Sequence, residues 1–259
     1  MVHFMRSKLI AAFVILALMT VGLSHLSFQR NEKPLFLLNA AMKKAWLKIL
    51  PLFEKKYNVQ VEAIYGSSGH LLAQLEITKT GEVYSPATPV YMEKAVRDGV
   101  VDPNTVTTVA CLRLAILVPA NSPIRSLDDL VKGNYKVAMC DLKSCAVGKF
   151  AKQSFEMSGL WNQLRGKVIT FTENFSKLVS LVALGQVDAA IGWSVGHYWY
   201  PDKVRAIPLN VSTPYEPCIQ IAITKYAKNR DLAAKFIQFL KEPEVQQILK
   251  ELGYEVVNK

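Results

Sequence analysis

Signatures of catalysis and of metal binding are missing from this sequence. It contains no H-E-x-x-H, no G-x-S-x-G, no P-loop and no G-x-G-x-x-G, the spacings that would hold a zinc ion, an activated serine or a nucleotide phosphate. Histidine is scarce, at four in 259 residues. His3 and His25 lie in or beside the N-terminal segment, which leaves His70 and His197 for acid–base work, and nothing arranges either beside a nucleophile. The cysteines are as few: Cys111, Cys140, Cys145 and Cys218 include no C-x-x-C and do not cluster with histidine, so they fit no common zinc pattern. Dense Lys/Arg runs are also lacking. The net charge of +10, from 31 basic and 21 acidic residues, is spread along the chain. That balance favours anionic partners but is not the footprint of a nucleic-acid binder. No internal repeat of solenoid period and no low-complexity tract occurs. An enzyme, a metalloprotein and a nucleic-acid binder are therefore not expected.

What is present begins with a leader pattern. Arg6 and Lys8 precede an almost wholly apolar run, Leu9–Leu23, and the polar stretch from Gln29 to Pro34 follows. Basic-then-apolar order, with the small residues Gly22, Ser24 and Ser27 at its end, reads residues 1–24 as a signal peptide, or as an N-terminal anchor where it is retained. The run is short for a full membrane span, and no cysteine lies near it for a lipid attachment. The expected location is periplasmic or extracytoplasmic. In an oxidising compartment an even number of cysteines reads as disulfides, with free buried thiols as the alternative.

Beyond the leader, short apolar strands alternate with amphipathic helices, which implies an α/β fold with a largely parallel sheet. Strands are expected at Leu35–Leu38, Val59–Tyr65, Val83–Ser85, Cys111–Val118, Tyr135–Met139, Val168–Phe171, Ala189–Trp193 and Ile219–Thr224. A helix over Ala41–Tyr57 carries Trp46, Leu50, Phe53 and Tyr57 on one face, and Pro51 should kink or divide it. Ser126 and Asn174 read as helix caps, Ser126 with acids in the following turn. Further helices are expected at Val90–Val96, Ala146–Met157 and Asp231–Leu240. Pro243 reads as the start of a last helix, and Gly253 as its stop.

Several of these segments, in order, resemble the molybdate-binding proteins of ABC transporters. They are Pro51–Tyr57 leading to Val59-Gln60-Val61, Ile64-Tyr65-Gly66-Ser67-Ser68-Gly69-His70-Leu71, Cys140–Ala151, Gly185–Trp193, and Phe239–Pro243 through Leu252-Gly253-Tyr254. The likeness covers nearly everything after about residue 35. It implies a two-lobed type II periplasmic-binding-protein fold with a hinge of two crossover strands, lobe 1 being residues 33–112 plus 218–259 and lobe 2 residues 113–217. It also implies a ligand between the lobes, closure on that ligand, membrane permease subunits as partners, a monomer, and no cofactor. The ligand so implied is a small tetrahedral oxyanion, molybdate or tungstate. A different small anion, or a two-lobed sensing module not tied to transport, is the alternative.

A dianion leaving water needs several donors at once, and strand–turn–helix units offer free N–H groups at helix starts. By position in the family, Ser68 implies a hydroxyl and backbone donor, with Ser67 shaping its turn; a plain helix cap is the other reading of both. Val147 and Phe175 imply backbone donors, and packing is the other reading of each. Trp193 falls where the family has a tyrosine. Ala41 falls where its first serine should be, which removes one hydroxyl. The family's Asp-Leu-Phe turn stands here as Glu82-Val83-Tyr84, followed by Ser85-Pro86-Ala87-Thr88. Asn39, Lys43 and His70 are candidates to replace the lost donor. The crossover strands of the family would bring Cys111 to Cys218, and Cys140 would pair with Cys145 across the second-lobe loop.

Overall fold

The computed structural model describes residues 33–256, so the leader expected at residues 1–24 lies outside the described residues. The chain begins with β1 (Leu35–Asn39), α1 (Lys43–Tyr57), β2 (Glu62–Gly66), α2 (Ser68–Thr78), β3 (Val83–Ser85) and α3 (Pro89–Arg97). Two strands follow, β4 (Thr107–Cys111) and β5 (Leu114–Pro119), then α4 (Leu127–Lys132), β6 (Val137–Cys140), α5 (Ala146–Met157) and α6 (Trp161–Leu164). Next come β7 (Val168–Thr172), α7 (Phe175–Ala183), β8 (Ala189–Trp193), α8 (Gly196–Trp199) and β9 (Val204–Pro208). The described chain ends with β10 (Cys218–Ile223), α9 (Arg230–Phe239), α10 (Pro243–Glu251) and β11 (Glu255–Val256).

These strands form two sheets, one per lobe. The first runs β11-β4-β10-β3-β1-β2 and the second β7-β6-β8-β5-β9. Neither is largely parallel, which corrects the expectation from the alternating pattern. β1 is parallel to β2 and β3, and β6 to β7 and β8. β10 is antiparallel to β3 and β4, and β5 to β8 and β9. The reason is connectivity: β10 re-enters the first sheet after the excursion through the second, so it runs against the strands laid down before.

The single long strand expected over Cys111–Val118 is likewise two strands in different sheets. Cys111 pairs with Cys218 in the first sheet, whereas Leu114 pairs with Trp193 in the second. Between them the chain crosses, and Leu112 N–H donates to Pro217 O of the returning segment at 3.0 Å. Apolarity alone runs straight through this crossing because Leu112 and Leu114 are both buried. A disulfide joins Cys111 to Cys218, the pairing the resemblance implied.

The second implied bridge is absent. Cys140 and Cys145 are buried free thiols, and Cys140 Sγ lies 3.5 Å from Thr172 Oγ1. Burial pushes the Cys140 thiol well above its ordinary pKa, with Cys145 beside it adding to the rise, and a neutral thiol is a poor partner for disulfide exchange. The intervening turn needs no bridge. Asp141 Oδ1 accepts from Lys143 N at 3.0 Å and from both Ser144 N and Ser144 Oγ at 2.7 Å.

Helix α1 buries Ala45, Trp46, Ile49, Leu50 and Phe53 and runs unbroken through Pro51. The proline lies on the exposed side of the helix, where the carbonyl left without its N–H partner can be solvated. Phe53 meets Phe236 of α9 at 4.9 Å between ring centres, and Phe36 of β1 meets it at 4.6 Å. Each such ring contributes on the order of 1.5–3 kcal/mol on burial. Ser126 forms a complete capping box with Asp129, and Asn174 Oδ1 accepts from Lys177 N to cap α7. Gly148 lets α5 lie against the end of β6: a Cβ there would stand 2.4 Å from the carbonyl oxygens of both Cys140 and Asp141.

Candidate functional site

Four helix starts point at one place. β1 leads into the turn Ala40–Met42 and then α1, β2 into α2, the Asp141–Ser144 turn into α5, and β7 into α7. The cavity where they meet is lined by Ala41, Ser67, Ser68, Val147, Phe175 and Trp193, together with Asn39, Ala40, Gly66, Ala87, Cys145 and Ala146. The first six are the residues that the sequence singled out, and the structure brings all of them together. Ala41, Ser67 and Ser68 come from elements of the first sheet; Val147, Phe175 and Trp193 come from elements of the second.

Donors dominate the wall. First-turn N–H groups have no acceptor within their own helix, and those of Ala41, Ser68, Val147 and Phe175 are not spent in other backbone bonds among the described residues. Each helix start also carries the positive end of its dipole. Ser67 occupies the N-cap position of α2, yet its side chain makes no capping bond. Its hydroxyl is buried without any hydrogen-bond partner among the described residues, a costly arrangement for a polar group. Ser68 Oγ accepts from Ala87 N at 3.0 Å, which leaves its own proton free to donate. Neither serine side chain therefore makes a capping hydrogen bond.

The lining contains no Lys, Arg, Asp or Glu. Asn39 Oδ1 accepts from Met42 N at 3.0 Å and one Nδ2 hydrogen is donated to Ser85 Oγ at 3.2 Å, which leaves its second amide hydrogen at the cavity wall. Lys43 and His70 do not line the cavity; Lys43 Nζ sits 5.8 Å over the Tyr65 ring instead. Of the three candidates for the lost donor, only Asn39 lines the cavity. Trp193 is fully buried and packs on Phe150 at 5.3 Å. The cavity holds about 10 Å³ of free volume, room for roughly one water, so its walls must part to admit anything larger.

A buried layer fixes these walls from behind. Tyr84 Oη donates to Ser68 O at 2.9 Å and Tyr254 Oη to Ala41 O at 2.6 Å. Burial drives both phenols above their ordinary pKa, so they remain donors across the physiological range. Trp199 stacks edge-on against Phe175 at 5.1 Å. Trp199, of the aromatic sequence His197-Tyr198-Trp199-Tyr200, thereby supports a cavity wall. Cys145 and Ala146 belong to the helix start that offers a cradle in the second lobe, whereas Ala87 carries no sign of a site in the sequence. Small and apolar, Ala87 enters only through backbone position. Away from this cavity, Cys111, Glu216 and Cys218 have metal-ligand spacing, but the disulfide occupies both sulfurs.

Residues 36–255 match the family model described as bacterial extracellular solute-binding protein. A molybdate-binding protein of Rhodobacter capsulatus is 27% identical over 214 residues, covering 78% of this chain and 80% of that protein. Among solved structures, the periplasmic molybdate-binding protein of Azotobacter vinelandii aligns with a TM-score of 0.73 at 21% identity, over 86% of this chain and 100% of that one. The sulfate-binding protein of Mycobacterium tuberculosis H37Rv aligns with a TM-score of 0.76 at 17% identity, over 88% of each chain. The two structures share the two-lobed α/β fold and bind different solutes by name. With 36–255 matched in one span, the chain belongs to the bacterial extracellular solute-binding protein family.

Proposed function

We propose that the solute is a small tetrahedral oxyanion, molybdate or tungstate, delivered to an ABC importer by an exported, monomeric protein that needs no cofactor. The observation that carries this reading is the buried, unpartnered Ser67 hydroxyl at a cavity where four helix starts converge. Helix N-termini favour anions through free N–H groups and dipole ends, without a cationic side chain. In this reading Ser67 and Ser68 donate their hydroxyls, and Val147 and Phe175 donate backbone N–H groups. Trp193 closes the far wall, and Ala41 contributes an N–H but no hydroxyl. Residues 33–112 with 218–259 move as one lobe and 113–217 as the other, parting to admit the anion and closing around it.

The absence of a carboxylate from the wall bears on selectivity. Hydrogen phosphate carries a proton that needs an acceptor, and an unpaired donor in a buried site costs about 1–3 kcal/mol. Fully ionised molybdate, tungstate and sulfate carry no such proton. The chemistry therefore favours these over phosphate, and cavity size decides among them. Sulfate is the second reading, supported by the sulfate-binding neighbour of the same fold. The remaining alternative, a sensor using the same module, makes the same binding prediction and differs only in its protein partner.

The test is isothermal titration of residues 25–259 with molybdate, tungstate, sulfate and phosphate. One-to-one binding of molybdate and tungstate, with sulfate weaker and phosphate absent, is the expected result. Tight phosphate binding, or no heat from any of the four with folded protein, would remove the oxyanion reading.

A further inference from the structure

The two lobes touch directly beside the cavity at the Ser176 hydroxyl, which donates to Ala40 O at 3.4 Å, and more extensively through one turn. Asp141–Ser144 projects from the end of β6 and is held rigid by its own aspartate, as described above. Its outward carbonyls are taken by the other lobe. Lys143 O accepts from Tyr91 Oη of α3 at 2.6 Å, and Ser144 O accepts from Gly69 N of α2 at 2.8 Å. Lys149 of α5 adds a cation over the Tyr91 ring at 5.6 Å. The Gly69–Ser144 contact adjoins the binding wall at both ends: Gly69 follows Ser67-Ser68, and Cys145 follows Ser144.

Gly69 is required here by contact and not by backbone conformation, since it is not among the glycines with positive φ. A Cβ at this position would stand 2.8 Å from Ser144 O and 2.9 Å from Ser144 Cα. Both are backbone atoms of a turn pinned by the Asp141 hydrogen bonds, so neither swings aside. Any side chain at residue 69 holds the lobes apart.

We infer that Gly69 and Tyr91 are positioning residues that latch the closed cleft onto the Asp141–Ser144 turn and so set how slowly bound solute leaves. Neither lines the cavity. The inference rests on the oxyanion reading for its kinetic consequence, whereas its structural consequence, how far the lobes close, stands apart from that reading.

The experiment uses the full chain and two variants. Tyr91→Phe removes one hydroxyl and keeps the ring; Gly69→Ala inserts the obstructing methyl. Small-angle scattering with and without molybdate reads lobe closure, and stopped-flow Trp fluorescence reads molybdate association and release. Release is expected to quicken about 2- to 10-fold in Tyr91→Phe, the range of one hydrogen bond. In Gly69→Ala it is expected to quicken on the order of 10-fold or more, as overpacking predicts, with association unchanged in both. The radius of gyration of Gly69→Ala is expected to exceed that of the wild type. Wild-type release and wild-type dimensions in both variants would overturn the latch. Where the wild type binds no molybdate, the oxyanion reading fails, and the scattering comparison still decides the latch: an expanded Gly69→Ala supports it, and unchanged dimensions refute it.

Discussion

Two adjacent serines show how much one hydrogen bond changes at the residue scale. Ser68 accepts from Ala87 N and therefore holds the wall together as well as facing the cavity. Ser67, its neighbour, has a buried hydroxyl bonded to nothing among the described residues. Replacing Ser67 by alanine removes an unsatisfied hydroxyl, so thermal stability should hold or rise slightly. Oxyanion affinity should fall by about 1.5–3 kcal/mol, the range of a hydrogen bond to a charged group, or roughly 10- to 150-fold. Paired thermal melts and titrations check this. A variant that loses stability while keeping its affinity would make Ser67 a structural residue.

At the scale of elements, the Asp141–Ser144 turn is the piece whose rigidity the rest of the site depends on. The Asp141 carboxylate lies below its ordinary pKa, chiefly because it accepts from the Ser144 N–H and then from the Ser144 hydroxyl. A folded-state pKa below the unfolded one, about 3.9, gives stability that is fully present above that value and is lost as pH falls through the folded pKa. Asp141→Asn keeps an acceptor but cannot titrate. The melting-temperature gap between wild type and this variant should hold from pH 7 to about pH 4 and narrow below it. A gap that stays constant down to about pH 3 would show that the Asp141 charge does not hold the turn.

The hinge belongs to the whole molecule. Cys111 and Cys218, separated by 107 positions in sequence, close a loop that contains the entire second sheet, and they lie where the chain leaves the first sheet and returns to it. Native disulfides typically contribute about 2–4 kcal/mol, more for longer loops. For a chain of this size that is roughly 4–16 °C of melting temperature. The double variant Cys111→Ser with Cys218→Ser should lose that much in differential scanning calorimetry, and the wild type should lose a similar amount in reductant. Equal melting temperatures in oxidised and reduced protein would show that the pairing of β4 with β10 holds the hinge without the bond.

Sequence periodicity by itself determined the local elements. The short strands at Val83–Ser85 and Ala189–Trp193, the amphipathic face of α1, and the caps at Ser126 and Asn174 are each carried by residues within one segment, so they are legible from residue order. The six cavity residues were found through their place in an ordered family pattern; their chemistry alone, two serines, an alanine, a valine and two aromatics, announces no site. Tertiary structure decided what depends on distant partners. It divided the apolar run Cys111–Val118 between two sheets, because the strands that hold its two ends, at Cys218 and at Trp193, lie far along the chain. It turned β10 against β3 for the same reason. It also left Cys140 and Cys145 as thiols, since the short turn between them brings two sulfurs near each other but the buried surroundings and the Asp141 hydrogen bonds decide whether they join. Above all, only the folded chain shows that the Ser67 hydroxyl lacks a partner, because that is a statement about every neighbour it does not have.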